Sequence, residues 1–159
     1  MNILNSFLIV QGGEKMNVNQ KEEGKKTRIF LSYAISDAIY AHKLLRLLFQ
    51  RSNLRVFTTE MLSAGENWES KLKEEISQCD IFMMLLSPNS VDSNWVLHEL
   101  GAAWALNKSI IPVVIHPETV PKIPVQLRKS QLVVFDDFKN PETINKILNS
   151  YEGRRSYVT

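Results

Sequence analysis

Apolar runs and amphipathic stretches alternate along the chain from Thr27 onward. Five short runs rich in apolar residues predict β-strands, at 28–32, 54–57, 80–86, 110–115 and 132–135. Stretches with apolar residues at every third or fourth position predict helices between them, at 37–51, 68–78, 94–106 and 141–151. The two longest runs are apolar throughout, which is typical of parallel strands that are covered on both faces.

This order of elements predicts an α/β fold, specifically a flavodoxin-like three-layer sandwich with a five-stranded parallel sheet in the order 2-1-3-4-5. Ligands of such sheets bind outside the carboxyl ends of the strands, where the strand order reverses. The loops at 32–37 and 87–93 therefore border the expected site, and the loop at 58–67 flanks them. Ser93 is predicted to be the N-cap of the helix that follows the second of these loops.

The length of 159 residues predicts one domain with a sizeable core. We assign residues 27–151 to that domain, residues 1–26 to a flexible N-terminal arm and residues 152–159 to a C-terminal tail. The segment 12–16, Gly-Gly-Glu-Lys-Met, is also compatible with a translated ribosome-binding sequence ahead of a start codon. Met16 is therefore an alternative native start.

Charge and composition exclude several classes of protein. Nineteen Lys and Arg residues against seventeen Asp and Glu residues give a net charge of +2, which argues against a nucleic-acid binder. The apolar runs are far shorter than the ~20 residues of a membrane helix. The single cysteine, Cys79, excludes an internal disulfide and a Cys-rich metal site. We expect a cytoplasmic protein without a metal, a membrane partner or a nucleic-acid partner.

The sequence lacks several signatures of common enzymes. It contains neither G-x-x-x-x-G-K-[ST] nor G-x-G-x-x-G, which argues against P-loop and dinucleotide-fold phosphate sites. It contains neither H-E-x-x-H nor G-x-S-x-G, which argues against zinc proteases and α/β-hydrolases. Ser32-Tyr33 and Ser87 stand where a response regulator would carry acidic residues.

One acidic residue falls on an apolar stripe of a predicted helix. At about 100° per residue, Glu99 lies beside Trp95, Ala102 and Leu106 on the helix at 94–106. A carboxylate in that position must find a partner, shift its pKa or line a cleft. Two interpretations stay open: an ion pair with an Arg or Lys of a neighbouring element, and a carboxylate at a functional site.

Three segments, in order, resemble motifs of the TIR (Toll/interleukin-1 receptor-like) domain family. Residues 29–33, Ile-Phe-Leu-Ser-Tyr, with Asp37 downstream, resemble the first motif. Val56-Phe57 and then residues 64–68, Ala-Gly-Glu-Asn-Trp, resemble the second strand and the glycine-containing BB loop. Residues 85–88, Leu-Leu-Ser-Pro, followed by Ser93, Trp95 and Glu99, resemble the segment that carries the Trp and Glu of NAD-cleaving TIR domains.

The likeness covers residues 27–135 and departs from the family pattern in two places. The acidic residue that usually precedes the BB loop has no fixed counterpart, because the chain reads Thr58-Thr59-Glu60 there. The late Phe-Trp motif of animal TIR domains is absent. The chain is thus most similar to bacterial and plant-like enzymes, in particular to stand-alone bacterial TIR proteins of Thoeris-type antiphage defence.

The resemblance implies cleavage of the bond between nicotinamide and ribose in NAD+, with nicotinamide and either ADP-ribose or a cyclic ADP-ribose-type signal as products. NAD+ is then a substrate, and no cofactor is implied. The implied catalytic residue is Glu99, which would stabilise an oxocarbenium-like ribose. The implied substrate-binding residues are Phe30, Ser32, Tyr33, Ser87, Trp95 and Trp68. Each of these has a purely structural alternative, such as core packing, a turn or a cap.

The resemblance also implies partners. Self-association through TIR–TIR contacts would use the BB loop, including Ala64, Gly65 and Glu66. A separate effector protein would sense the product. Two alternative functions remain: a non-catalytic TIR–TIR adaptor module, and a more distant nucleoside 2-deoxyribosyltransferase-like enzyme. The acidic residue at Glu99 favours the NAD-cleaving enzyme over the adaptor.

Overall fold

The strands form where the chain is most apolar. The structure, a computed structural model, describes residues 26–62, 65, 67–127 and 129–155. Its strands are β1 (Thr27–Ser32), β2 (Leu54–Phe57), β3 (Ile81–Leu86), β4 (Ser109–Val114) and β5 (Val133–Val134). All six residues of β3 are buried, because this strand lies at the centre of the sheet with helices on both faces.

The strands form one parallel sheet in the order β2-β1-β3-β4-β5. This arrangement confirms the predicted α/β class and the predicted order 2-1-3-4-5. The pairing of β1 with β3 ends at Ser32 and Met84, and β3 continues from there to Leu86. The loops that leave β1 and β3 therefore face each other at the carboxyl edge of the sheet, where the strand order reverses.

The helices cover both faces of the sheet. They are α1 (Ala38–Phe49), α2 (Trp68–Gln78), α3 (Pro88–Val91), α4 (Asn94–Ala105) and α5 (Glu142–Arg155). Short 3₁₀ segments occupy Ile35–Asp37, Thr59–Met61, Pro117–Lys122, Val125–Leu127 and Phe135–Lys139. The sequence predicts α1, α2, α4 and α5, whereas α3 is a single short helix that begins at Pro88 within the predicted 87–93 loop.

Two apolar cores separate the three layers. On one face, Leu44 of α1 and Ile144 of α5 pack in the same cluster as Leu31 of β1. On the other face, Ile76 of α2 and Leu100 of α4 pack in a second cluster with residues of β1 and β3. Successive residues of β1 enter opposite cores, because side chains alternate between the two faces of a strand.

The structure differs from the prediction at the ends of some elements. β5 is only two residues long, shorter than the predicted 132–135, because Phe135 begins a 3₁₀ segment. The helix α5 continues past Tyr151 to Arg155. Residues 1–25 and 156–159 lie outside the described residues, so the arm, the start at Met16 and the tail stay predictions. Within the described ranges, no helix is long and apolar enough to cross a membrane.

Candidate functional site

The helix α4 carries Glu99 to the carboxyl side of the sheet. Ser93 caps the helix, since its Oγ accepts a hydrogen bond from the Val96 N–H at 3.4 Å, as the sequence predicted. The cap fixes the start of α4, so that Trp95 and Glu99 lie one turn apart on the face that looks toward α2. The side chain of Glu99 is almost fully buried, with 2% of the residue exposed.

Among the described residues, the Ser32 side chain donates a hydrogen bond to the Glu99 carboxylate. Its Oε2 accepts from the Ser32 hydroxyl at 2.5 Å, whereas its Oε1 is buried and makes no hydrogen bond of normal geometry to the described residues. No Lys, Arg or His within the described ranges forms an ion pair with Glu99. The described residues therefore provide no ion pair for Glu99, and the structure places its carboxylate beside a cleft.

Burial raises the pKa of Glu99 from 4.5 to about 7. The hydrogen bond from Ser32, and more weakly the nearby indole of Trp95, favour the charged form and oppose this rise. The carboxyl group is thus poised near neutral pH. Above that pH it is a buried negative charge without a positive partner, which is favourable only when a cation or hydrogen-bond donor joins it.

A pocket of about 230 Å³ between α2 and α4 gives access to Glu99; we refer to it as the α2–α4 pocket. Most of its wall is apolar. The lining residues are Leu72, Lys73, Ile76, Trp95, His98, Glu99, Ala102 and Leu106. The rings of Trp68 and Trp95 pack against each other beside it, 5.3 Å apart and tilted by 47°, and each remains partly exposed. The pocket suits a flat aromatic group.

A second depression of about 490 Å³ opens between the loops that follow β1 and β3; we refer to it as the switch-point cleft. Residues 33–36 form one wall and residues of the 88–93 segment form the other. Trp95 lines both this cleft and the α2–α4 pocket, so the two cavities are neighbours. Larger depressions of about 580 and 640 Å³ lie near the amino ends of β3 and β4, and Glu99 lines neither of them.

Phe30 and Ser87, two residues to which the resemblance assigned substrate binding, are fully buried and make contacts within the fold. Phe30 is fully buried and stacks on Phe82 with a centroid distance of 5.4 Å, so it supports Ser32 from below. Ser87 is fully buried; its hydroxyl accepts from the Ser90 N–H and donates to Asp37. These contacts account for both side chains within the fold, and substrate contact by Phe30 and Ser87 stays a prediction.

Tyr33 lines the switch-point cleft and does not line the α2–α4 pocket. It enters the core on the α1 face, because adjacent residues of an extended strand point to opposite faces of the sheet. Burial raises the pKa of Tyr33 to about 12, so its phenol stays neutral. Tyr33 lines the switch-point cleft, which shares Trp95 with the α2–α4 pocket, and the Glu99 charge adds to the rise in the Tyr33 pKa.

The 58–67 loop is anchored at both ends. Thr58 Oγ1 accepts from the Glu60 N–H at 3.2 Å, and the Glu60 carboxylate contacts His42 Nε2 at 2.9 Å, which lowers the pKa of Glu60. Asn67 caps α2 through the Ser70 N–H. Gly65 has a φ of +94°, a conformation that favours glycine. Ala64 and Glu66 lie outside the described residues.

Two parts of the site are not predicted by the sequence pattern. The α2 side of the α2–α4 pocket comes from Leu72 and Ile76, whose spacing of four on a helix was the available signal. The hydrogen bond between Asp37 and Ser87 joins the two loops at the switch point, and its only sequence signal was the position of both residues just after predicted strands.

A family model described as "TIR domain" matches residues 29–148. The Caenorhabditis elegans protein named NAD(+) hydrolase tir-1 is 33% identical over 98 residues, which span 56% of this chain and only 10% of that protein.

Solved structures share the fold. The TIR domain of the Toll-related receptor TRR-2 from Hydra magnipapillata gives a TM-score of 0.63 at 17% identity, and the match covers 78% of this chain and 97% of that one. The TIR domains of the activated Roq1 resistosome that directly recognises the pathogen effector XopQ give a TM-score of 0.53 at 22% identity, with 80% of each chain covered. At these identities the structures establish the fold alone.

The buried charge predicts a pH-dependent gain in stability for Glu99→Gln. The folded pKa of about 7 exceeds the ordinary value of 4.5, so the folded state binds more protons and the wild type loses stability as pH rises between the two values. Above pH 7 the variant should be the more stable, by at most on the order of 3 kcal/mol. Below pH 4.5 this difference should vanish. Thermal or urea unfolding of both proteins, from below pH 4.5 to above pH 7, measures this difference in stability. A Glu99→Gln variant that is less stable than the wild type at high pH would indicate that Glu99 forms an ion pair.

Proposed function

The chain belongs to the TIR domain family, and on that premise we propose that it cleaves the bond between nicotinamide and ribose in NAD+. The observation that carries the proposal is the Glu99 carboxylate, which is buried, unpaired with any cation in the described structure and free at Oε1. The name of the C. elegans relative, NAD(+) hydrolase, supports the same substrate, although the match spans a tenth of that protein.

The chemistry requires only one carboxylate. In NAD+ the nicotinamide is already a cationic pyridinium, so the electron pair of the bond between C1′ and the ring nitrogen leaves with a neutral base. Ordinary glycosidases need a second carboxyl group because their leaving oxygen must be protonated. Here the remaining task is to stabilise the positive charge that develops on the ribose.

Glu99 is suited to that task. Its Oε2 is held by Ser32, which fixes the orientation of the carboxylate and leaves Oε1 to face the ribose and its hydroxyl groups. Burial lowers the local dielectric constant, so the attraction between Glu99 and a ribosyl cation is stronger than it would be in water. Above neutral pH the carboxyl group is mostly ionised.

The cavities fit the two ends of the substrate. The α2–α4 pocket, about 230 Å³ with Trp95 in its wall, suits the pyridinium ring, because a cation over an aromatic face is favourable. It is smaller than the ~300–1,000 Å³ that is usual for a complete small-molecule site. The rest of the dinucleotide would extend into the switch-point cleft of about 490 Å³, which shares Trp95.

Release of nicotinamide from NAD+ tests the proposal. We expect concentrated wild-type protein to release nicotinamide and Glu99→Gln to do so at least ~10²-fold more slowly, because one electrostatic stabiliser is lost. Glu75→Gln is the matched control: Glu75 is also a buried glutamate, but it pairs with Lys71 and lies outside the α2–α4 pocket. That control should lose stability and keep activity.

The outcomes separate the candidate functions. Equal nicotinamide release by wild type and Glu99→Gln would contradict the assigned role. Failure of concentrated wild type to release nicotinamide would favour the adaptor module. Cleavage of 2′-deoxynucleosides in place of NAD+ would favour a deoxyribosyltransferase-like enzyme.

The active form is proposed to be an assembly of several copies. The 58–67 loop, with Gly65 in its left-handed conformation, would dock on a second copy. Ile35, which lines the switch-point cleft, and Ile39, four residues later, are exposed to 89% and 63% and offer an apolar surface. A head-to-tail contact that does not close would build filaments.

Assembly predicts that specific activity depends on concentration. Activity per molecule should rise with protein concentration or with a crowding agent, because dilution favours the less active monomer. A wide dilution series followed by nicotinamide release and by light scattering measures both quantities. Activity per molecule that stays flat while the scattering mass falls would contradict the assembly requirement.

The product is proposed to include a cyclic ADP-ribose isomer. Once nicotinamide has left, C1′ can bond to a water oxygen, which then loses a proton to the solvent. It can also bond to a nitrogen of the substrate's own adenine or a hydroxyl of its ribose; that group likewise releases a proton, and no water is consumed. A cleft that excludes water favours the second route, and Trp68 and Trp95 provide stacking surfaces for the folded adenine. A cyclic product would be a diffusible signal for a separate effector protein, as in bacterial antiphage defence.

Mass spectrometry of the reaction distinguishes the products. The cyclic isomer is lighter than ADP-ribose by one water, so we expect that mass beside nicotinamide. Trp68→Ala should lower the cyclic fraction and leave linear ADP-ribose. Linear ADP-ribose as the sole product of the assembled protein would identify a plain NAD+ hydrolase.

A further inference from the structure

Asp37 is a buried acid that bonds across the switch-point cleft. It is 2% exposed, and its carboxylate accepts from the Ser87 hydroxyl at 2.5 Å and from the Asn89 amide at 3.4 Å. No Lys, Arg or His of the described segments pairs with it. Asp37 is therefore held by neutral donors, both of which belong to the segment that follows β3.

These bonds join two segments that the sheet does not connect. The backbone pairing of β1 with β3 ends at Ser32 and Met84. A loop follows β1 directly, and another follows β3 after Leu86. One loop forms the 33–36 wall of the switch-point cleft and ends at Asp37. The other contains Ser87 and Asn89, and Asn89 itself lines the cleft. The side chain of Asp37 thus ties the bases of the two walls together.

Through Ser87, the hydrogen bond to Asp37 is also connected to α4, the helix that carries Glu99. Ser87 forms a reciprocal capping box with Ser90, which starts α3, and α3 leads directly to the Ser93 cap of α4. The Ser87 hydroxyl therefore holds α3 on one side and Asp37 on the other. Loss of the Asp37 side chain would remove the hydrogen bonds that hold the two walls of the switch-point cleft together. The hydrogen bond between Ser32 and Glu99 involves neither Asp37 nor Ser87.

We propose that Asp37 is a positioning residue that sets the width of the switch-point cleft for the adenosine diphosphate half of the substrate, and that it plays no part in the chemistry at the ribose. The inference rests on the proposed function for the identity of the ligand. Charge-assisted hydrogen bonds to a buried carboxylate are stronger than neutral ones, so Asp37 is the dominant link between the walls.

Binding of ADP-ribose, measured by calorimetry, tests the inference without relying on cleavage. Asp37→Ala should raise the dissociation constant roughly tenfold, because the Ser87 and Asn89 donors lose their buried acceptor and the walls separate. Asp37→Asn keeps an acceptor for Ser87 but loses the charge, so its loss of affinity should be smaller than that of Asp37→Ala. The matched pair Ser87→Ala and Ser90→Ala each loses half of the capping box, but only Ser87→Ala should weaken binding, since Ser90 does not touch Asp37.

Cleavage kinetics with two substrates distinguish this role from a general destabilisation of the fold, which would affect both substrates alike. For NAD+, Ser87→Ala should raise KM and leave kcat near wild type. For nicotinamide mononucleotide, which lacks the adenylate, neither parameter should change. If Asp37→Ala does not fold, the Ser87→Ala and Ser90→Ala pair decides the matter.

Each outcome has a defined meaning. Absence of ADP-ribose binding by the wild type, equal binding by Ser87→Ala and Ser90→Ala, or equal losses on NAD+ and nicotinamide mononucleotide would overturn the role of Asp37. ADP-ribose binding that depends on Asp37, in a wild type that releases no nicotinamide, would support the cleft and contradict only the proposed activity.

Discussion

The buried carboxylate of Glu99, which accepts a hydrogen bond from Ser32 and forms no ion pair with the described residues, is the group on which the rest of the site depends. Burial raises its pKa to about 7, and the Ser32 hydroxyl is the strongest group that opposes this rise. A structural acid in a core is normally paired or fully hydrogen-bonded. One that is neither stores free energy that a cationic ligand can release.

The fold supplies each element that this arrangement needs. The strand order brings the carboxyl end of β1 beside the helix after β3, so Ser32 meets Glu99 although 67 positions separate them in sequence. Phe30 stacks on Phe82 below Ser32 and keeps water out from that side. The Ser93 cap sets the start of α4, and α2 closes the pocket with apolar side chains. The buried Glu99 carboxylate lowers the free energy of unfolding, and the apolar cores around it offset that loss.

Much of this could be predicted from the sequence, because apolar runs and helical periodicity reflect burial directly. The strand order, the Ser93 cap and the position of Glu99 beside Trp95 and Ala102 follow from such local patterns. What could not be predicted depends on contacts distant in sequence. Spacing along α4 does not reveal whether a cation faces Glu99, and a motif match does not reveal that Phe30 and Ser87 use their side chains inside the fold.

The pKa of Glu99 is the quantity that tests this account most directly, because it needs neither substrate nor assembly. Carbon-13 NMR titration of the Glu99 carboxyl group, assigned by its loss in Glu99→Gln, measures it in the wild type and in Ser32→Ala. The account predicts a midpoint of about 7 in the wild type and a higher one in Ser32→Ala, where the hydrogen bond to the charged form is lost. A midpoint near the ordinary 4.5 in both proteins would mean that Glu99 is solvated or paired, and would contradict the account.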